Sequence, residues 1–337
     1  AMRTRTDTLT LSLATRWHLS ENAHAFALTD IFHRRVRYQG QNHAPQTRLR
    51  SKEAHLSFAL SGTHRLSIGR LRFSDPRKRA MDAVGDGVHL GYKTPDWGWE
   101  AALFKDAFGQ RGLYALAHVH RFSRNRVQGT YALIEDVDGE NRAHLAGYTQ
   151  SRIFGAHLFD LGISAVFGDA ANLRRAGIAA DATMTHQFRY RDWKPKLTFG
   201  LAIGSAGYQE PALASHKTKD DGQTLFKRFG TVFQPRLTNL AIASASFGLR
   251  PSRDFSLDLR AHAYAQVNAS TVTPIARVSG QPNGLSRHDG LEVTIVAGWR
   301  PRKATKIELG AGIFKPGRAY QSRRPAKRLF VRLTQYF

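Results

Sequence analysis

Five arginines stand where an anionic partner could be bound: Arg16, Arg152, Arg260, Arg300 and Arg332 each lie in a segment whose apolar residues fall on the opposite parity. A guanidinium stays charged at any physiological pH, and its planar fork binds a carboxylate through two parallel hydrogen bonds. Repeated along one wet surface, such groups suit a polyanion or a small acidic solute. Interleaved acids such as Glu53, Asp258 and Glu292 would keep each contact weak enough to release the partner. The same arginines could instead pair with those acids as ion-pair networks facing water. No local spacing marks a nucleophile with its base, so no enzymatic activity is expected. His118 and His120 form the closest histidine pair, a pattern that more often reflects satisfied polar residues than metal ligands. With no cysteine in the chain, thiolate metal sites and disulfides are excluded. No cofactor is expected.

The elements that must position these residues alternate with a period of two, the signature of β-strands with one apolar and one mixed face. In the segment Thr8 to Leu19, residues Leu9, Leu11, Leu13 and Trp17 oppose Thr10, Ser12, Arg16 and His18. Farther on, Phe255, Leu257 and Leu259 oppose Ser256, Asp258 and Arg260, and Leu291, Val293 and Ile295 oppose Glu292 and Thr294. The last stretch, Arg328 to Phe337, repeats the pattern and ends on an aromatic residue.

No run approaches the roughly 18 apolar residues of a spanning helix. A membrane location therefore requires a closed β-barrel, the other structure that satisfies every backbone group in lipid. The sequence predicts a single all-β domain over 1–337, a transmembrane antiparallel up-and-down β-barrel in the bacterial outer membrane. A soluble sandwich would not place ionisable residues opposite each apolar face over the whole length.

Lys and Arg exceed Asp and Glu by 24, which favours polyanionic partners. Because the positive charges are spread over loops and alternating strands, with no compact basic face, nucleic acid is not expected as a partner. Basic stretches are predicted to be connections over Phe32 to Lys52, Asp75 to Arg79 and Gly317 to Arg328; for the first and the last, lipopolysaccharide phosphate or water is the expected neighbour. Tight turns alternate with longer connections, as in outer-membrane barrels. Seventeen strands are visible in the pattern. An even-numbered barrel would need one more, either upstream of Ala1 or hidden between Asp220 and Leu237.

Three stretches resemble the alginate-export family of outer-membrane porins. Gly69-Arg70-Leu71-Arg72-Phe73, followed by a basic loop and Asp82 to Tyr92, is similar to the family's basic strand, loop and following strand. Phe226 to Leu240, with Arg228-Phe229-Gly230 and Asn239-Leu240, resembles its polar loop before a strand. Ile313-Phe314-Lys315-Pro316-Gly317 and Ala319-Tyr320 precede the terminal strand as in the family, and Lys52-Glu53 stands where the family has an Arg-Glu pair. The chain departs from the family in having Glu308 and Gly310 where the family is basic.

The resemblance implies an 18-stranded barrel through which an anionic uronate polysaccharide leaves passively by an arginine-lined constriction, its mouths narrowed by an outer loop and a periplasmic turn. It makes Lys52, Glu53, Arg70, Arg72, Arg228 and Asn239 pore-lining candidates. The expected partners are the polysaccharide, outer-membrane lipid and lipopolysaccharide, and periplasmic polysaccharide-secretion scaffold proteins. A monomer is expected. An anion-selective porin for small uronates or phosphate is the alternative.

Overall fold

A computed structural model of the chain describes residues 4–38, 41–42, 44–74, 81–108, 112–153, 155–170, 173–188, 193–214, 217–218, 226–272, 276–278, 280–302 and 304–335. Seventeen long strands and no helix make up these residues. They are β1 (Thr4–Ser20), β2 (Ala23–Tyr38), β3 (Gln46–Ala59), β4 (His64–Ser74), β5 (Asp82–Lys93) and β6 (Trp97–Asp106). Next come β7 (Gly112–Ser123), β8 (Arg126–Val137), β9 (Glu140–Ile153), β10 (His157–Ala170), β11 (Leu173–Gln187) and β12 (Lys196–Gly204). The series ends with β13 (Leu240–Leu249), β14 (Phe255–Gln266), β15 (His288–Arg302), β16 (Thr305–Pro316) and β17 (Ala326–Gln335). Each strand pairs with the next in antiparallel fashion, as in β1 with β2, β10 with β11 and β16 with β17. The chain divides into two compact units, one of Ala1–Phe73, Ala83–Ala117 and Glu135–Gly139, the other of Ser74–Asp82, His118–Ile134 and Glu140–Phe337.

Alternation along the strands produces two chemically distinct faces. On β12, Leu201 is 67% exposed while its neighbour Ala202 is 6% exposed. On β15, Leu291, Val293 and Ile295 are exposed, whereas Glu292, Thr294 and Val296 are buried. Large apolar side chains thus lie open on one face and carboxylates lie covered on the other, an inversion that suits acyl chains and not water. Trp17, Trp97, Trp99 and Trp299 fall at the short-turn ends of their strands, and Trp193 lies in the connection between β11 and β12. Indole rings prefer such a level at a membrane interface, where an apolar ring and a polar N–H can both be satisfied.

Several expectations require correction. Phe32 to Lys52 is not one long connection: β2 runs to Tyr38 and β3 begins at Gln46. A register shift between Leu28 and Thr29 of β2 and their partners on β3 makes Lys52 the extra residue, so Arg48 and Arg50 share a face with Asp30 while Glu53 and His55 continue it beyond the shift. A single extra residue flips parity, and that hides the strand from a simple alternation count. Gly317 to Arg328 is also partly strand, since β17 starts at Ala326. The short-long alternation fails between β8 and β9, where Asp138 and Gly139 at positive φ make a two-residue turn, and again between β10 and β11, where Ala170 pairs with Leu173. Among the described residues there are seventeen long strands, the number visible in the sequence pattern, and none of them lies between Asp220 and Leu237. The basic loop from Asp75 to Arg79 lies outside the described residues, as do Tyr336 and Phe337.

The two faces make opposite demands on a charge. Leu201→Arg, at mid-strand on the apolar face, is expected to cost about 2–4 kcal/mol of folding stability in phospholipid vesicles. Thr198→Lys on the polar face is expected to be nearly neutral. Urea titration of vesicle-inserted protein followed by tryptophan emission measures both.

Candidate functional site

The second unit carries a connection between β12 and β13, residues 205–239, whose described residues lie against the polar face. Its described core, Arg228 to Leu237, is buried almost throughout, with Phe233 at 0% exposure. A connection of this length normally sits in water, because its backbone amides need partners. Here Glu292 of β15 supplies them. Its carboxylate accepts from the main-chain N–H groups of Thr231, Val232 at 3.0 Å and Phe233 at 2.8 Å. Three successive amides around one carboxylate form a backbone nest, which holds an anion without any basic side chain. Glu210 does the same for the Leu237 amide at 2.8 Å, and Arg328 donates to the Thr231 carbonyl at 2.7 Å.

Packing completes the seat. The Phe233 ring stacks on Phe314 at 4.4 Å and meets Tyr264 edge-on at 4.9 Å. The Tyr264 hydroxyl donates to the Phe229 carbonyl at 3.1 Å. Gly230, at φ +108°, has no room for a Cβ because the Tyr264 hydroxyl and the Glu292 carboxylate occupy that space. Earlier in the segment Tyr208 accepts from Ser164 at 2.8 Å. Burial, with the Glu210 carboxylate adding to it, pushes its phenol above the ordinary range.

Below this segment, toward the short-turn end, the polar face encloses a chamber of about 120 Å³. Arg152 of β9, Lys196 of β12, Arg228 of the segment and Arg260 of β14 line it, together with Thr183, Thr185, Thr198, Ser244 and Ser246. Arg228 also donates to Asp181 at 2.7 Å, which fixes the segment to β11. Asp160 is the acid in the lining. Four cations and a ring of hydroxyls around one space can hold a carboxylate or phosphate through charge and several hydrogen bonds at once.

The structure brings three sequence candidates together here, Arg152, Arg228 and Arg260. Lys196 escaped notice because it opens its strand directly after a turn; the polar alternation of Lys196, Thr198 and Gly200 was the available signal. The remaining candidates lie elsewhere. Arg332 donates to Glu308 at 3.2 Å, and Lys306 pairs with the same acid at 2.6 Å. Arg300 lies on β15 near its short-turn end. Asn239, at φ +52°, exchanges two hydrogen bonds with the Asn268 main chain, at 2.8 and 2.9 Å, and so clips two connections together.

In the first unit, Lys52 pairs with buried Asp30 at 2.6 Å, and Asp30 also accepts from Ser12. Glu53 lies one residue past the register shift. Arg70 is held bidentately by Asp86 at 2.7 and 2.8 Å, and Arg72 is exposed between buried Leu71 and Phe73. Arg16 lies over the Phe26 ring at 5.9 Å. His118 is buried and shares a hydrogen bond with the Tyr148 hydroxyl at 2.9 Å. Glu292, expected to interleave with the cations along the path of a solute, is instead the buried anchor of the 205–239 segment.

If the carboxylate nest holds the segment, Glu292→Gln is expected to weaken its seat by about 1–3 kcal/mol. Trypsin should then cut at Arg228 and Arg236 in the folded protein. Unchanged resistance to trypsin would show that the aromatic packing suffices alone.

The alginate export family model matches residues 21–332. No curated protein matches the chain. Among solved structures, the chain is similar to Pseudomonas aeruginosa OccK11 (OpdR) at 14% identity and a TM-score of 0.62, covering 100% of this chain and 96% of that one. A BenF-like porin from Pseudomonas fluorescens Pf-5 gives 8% identity and a TM-score of 0.61 over 99% and 98% of the two chains. The outer membrane protein OprD from Pseudomonas aeruginosa gives 10% and 0.57 over 98% and 92%. At such identities these likenesses concern the fold.

Proposed function

We propose a cargo for this channel from one premise: the chain belongs to the alginate export family and is an integral β-barrel of the outer membrane. The cargo we assign is an anionic polysaccharide of the uronate class, passing outward without energy coupling. The observation that supports this most directly is the convergence of Arg152, Lys196, Arg228 and Arg260 on one hydroxyl-lined chamber beneath the inward-seated segment.

A polymer with a carboxylate on each sugar loses water and counterions when it enters a narrow passage. Cations pre-placed on the wall offset that cost, and they do so at every repeat of the chain as it advances. Thr183, Thr185, Thr198, Ser244 and Ser246 can replace water around the sugar hydroxyls. Release follows from weakness: charge pairs in a wet passage contribute about 1 kcal/mol or less each. Asp160 and Asp181 keep the local excess of positive charge moderate. The arginine candidates outside the chamber, with Lys52 and Glu53, would extend the same principle along the path. Lipopolysaccharide and periplasmic secretion proteins remain proposed neighbours, and a monomer the proposed state.

The small volume of the chamber favours a second reading, an anion-selective porin for single uronates or phosphate. Planar-bilayer recording separates the two. On the polysaccharide reading, oligouronates of increasing length block the chloride current with dwell times that lengthen with chain length. Arg152→Gln with Arg260→Gln is expected to weaken this block by about tenfold or more, from about 1 kcal/mol per lost pair. Free passage of phosphate and single uronates, with no block by long chains, would establish the small-solute reading instead.

A further inference from the structure

The apolar face of the second unit is not uniform. A groove of about 1120 Å³ crosses it from β7 to β14, lined overwhelmingly by carbon. Its course follows one line of strand register: Tyr148 pairs with Gly162, Gly162 with Asp181, Asp181 with Ala202, Ala202 with Ile242 and Ile242 with Tyr264. Those residues point to the polar face, so the groove is bounded by the side chains flanking them on the apolar face. Where it is broadest in small residues, Ala241 lies opposite Ala265 and Ala243 opposite Ala263. Leu201 and Ile203, 67% and 50% exposed, rise beside these alanines. A face built for generic lipid contact alternates bulky side chains to make a smooth surface, whereas this one leaves a trough between them.

One end of the trough is charged. Arg121 and Arg126 line it on the apolar-face parity, both exposed, beside the tight turn that joins β7 to β8. The Arg126 guanidinium is held in place by its Nε donating to the Thr149 hydroxyl at 3.2 Å, and Thr149 is itself part of the lining. Among the described residues, no acidic side chain on the same parity lines the trough. Short turns of outer-membrane barrels face the periplasm, so these arginines sit at the headgroup level of the inner leaflet.

We propose that this groove binds one anionic glycerophospholipid, its acyl chains lying over the alanines and its phosphate held by Arg121 and Arg126. Shape and charge decide the occupant together. A flexible acyl chain fills a curved trough that a second barrel's wall could not enter, and the paired guanidiniums recognise a phosphate diester at the depth where the leaflet presents one. The inference rests on the outer-membrane location and is independent of what the channel carries.

Native mass spectrometry of the detergent-solubilised full chain, titrated with phosphatidylglycerol or phosphatidylethanolamine, tests it. Wild-type protein is expected to retain one phosphatidylglycerol about tenfold more tightly than phosphatidylethanolamine. Arg121→Gln with Arg126→Gln should bring the two lipids to equal affinity. Ala243→Trp, which fills the trough, should lower retention of both by about tenfold, and Ala297→Trp, elsewhere on the apolar face, should change neither. Heat-modifiable gel migration verifies folding of each variant, and Ala263→Leu replaces Ala243→Trp if the latter does not fold. Unchanged retention in the trough-filling variant, or unchanged lipid preference in the arginine variant, overturns the proposal. So does a wild-type dimer that Ala243→Trp converts to monomer, since the occupant would then be a second copy.

Discussion

Inside a bilayer no water is available to a backbone amide, and each N–H and C=O of a spanning strand must find its partner on a neighbouring strand. Everything else in this protein follows from that constraint. It makes strands the spanning elements and forces side chains to alternate between lipid and the polar interior. It also confines irregular backbone to places where protein can satisfy it. The 205–239 segment shows how demanding the last condition is. Its described residues lie against the polar face where Glu292 and Glu210, both almost fully buried, accept amides that a strand partner would otherwise take.

Buried carboxylates here therefore serve two purposes that composition alone cannot separate. Glu292 and Glu210 are structural anions, each compensated by main-chain donors. Asp30, Asp181 and Glu308 are counter-charges that position Lys52, Arg228 and the Lys306–Arg332 pair. The net excess of cations is distributed accordingly: Arg228 is held by Asp181 and also lines the chamber, beside Arg152, Lys196 and Arg260. A passage that must admit a polyanion and also let it go needs acids among its cations, because an array of wholly uncompensated cations would bind too tightly to conduct.

The tryptophans and the basic rim of the outer groove address the same membrane from the opposite side of the wall. Indoles cluster at the short-turn ends, where Arg121 and Arg126 also lie. Within each unit, aromatic rings and guanidiniums near strand ends suit the interface between acyl chains and headgroups.

The sequence by itself determined the period of two, and with it the all-β class, the spanning mode, the apolar and polar faces and most strand positions. Leu9, Leu11 and Leu13, or Leu291, Val293 and Ile295, mark strands, and ionisable residues opposite them along the whole chain set them apart from a soluble sandwich. Family membership was also legible, in Gly69 to Phe73, Arg228 to Gly230 and Ile313 to Gly317. Tertiary structure alone decided which polar residues meet. The extra residue at Lys52 inverts parity over β3, and no alternation count can detect an inversion whose cause is the partner strand. Arg152, Lys196, Arg228 and Arg260 are far apart in the chain, and only strand register and the seating of the 205–239 segment bring them together. Glu292 looked like a pore acid because it lies on the polar face. It proved to be an anchor because three amides from a distant segment reach it, and long-range contacts of that kind leave no mark on local sequence.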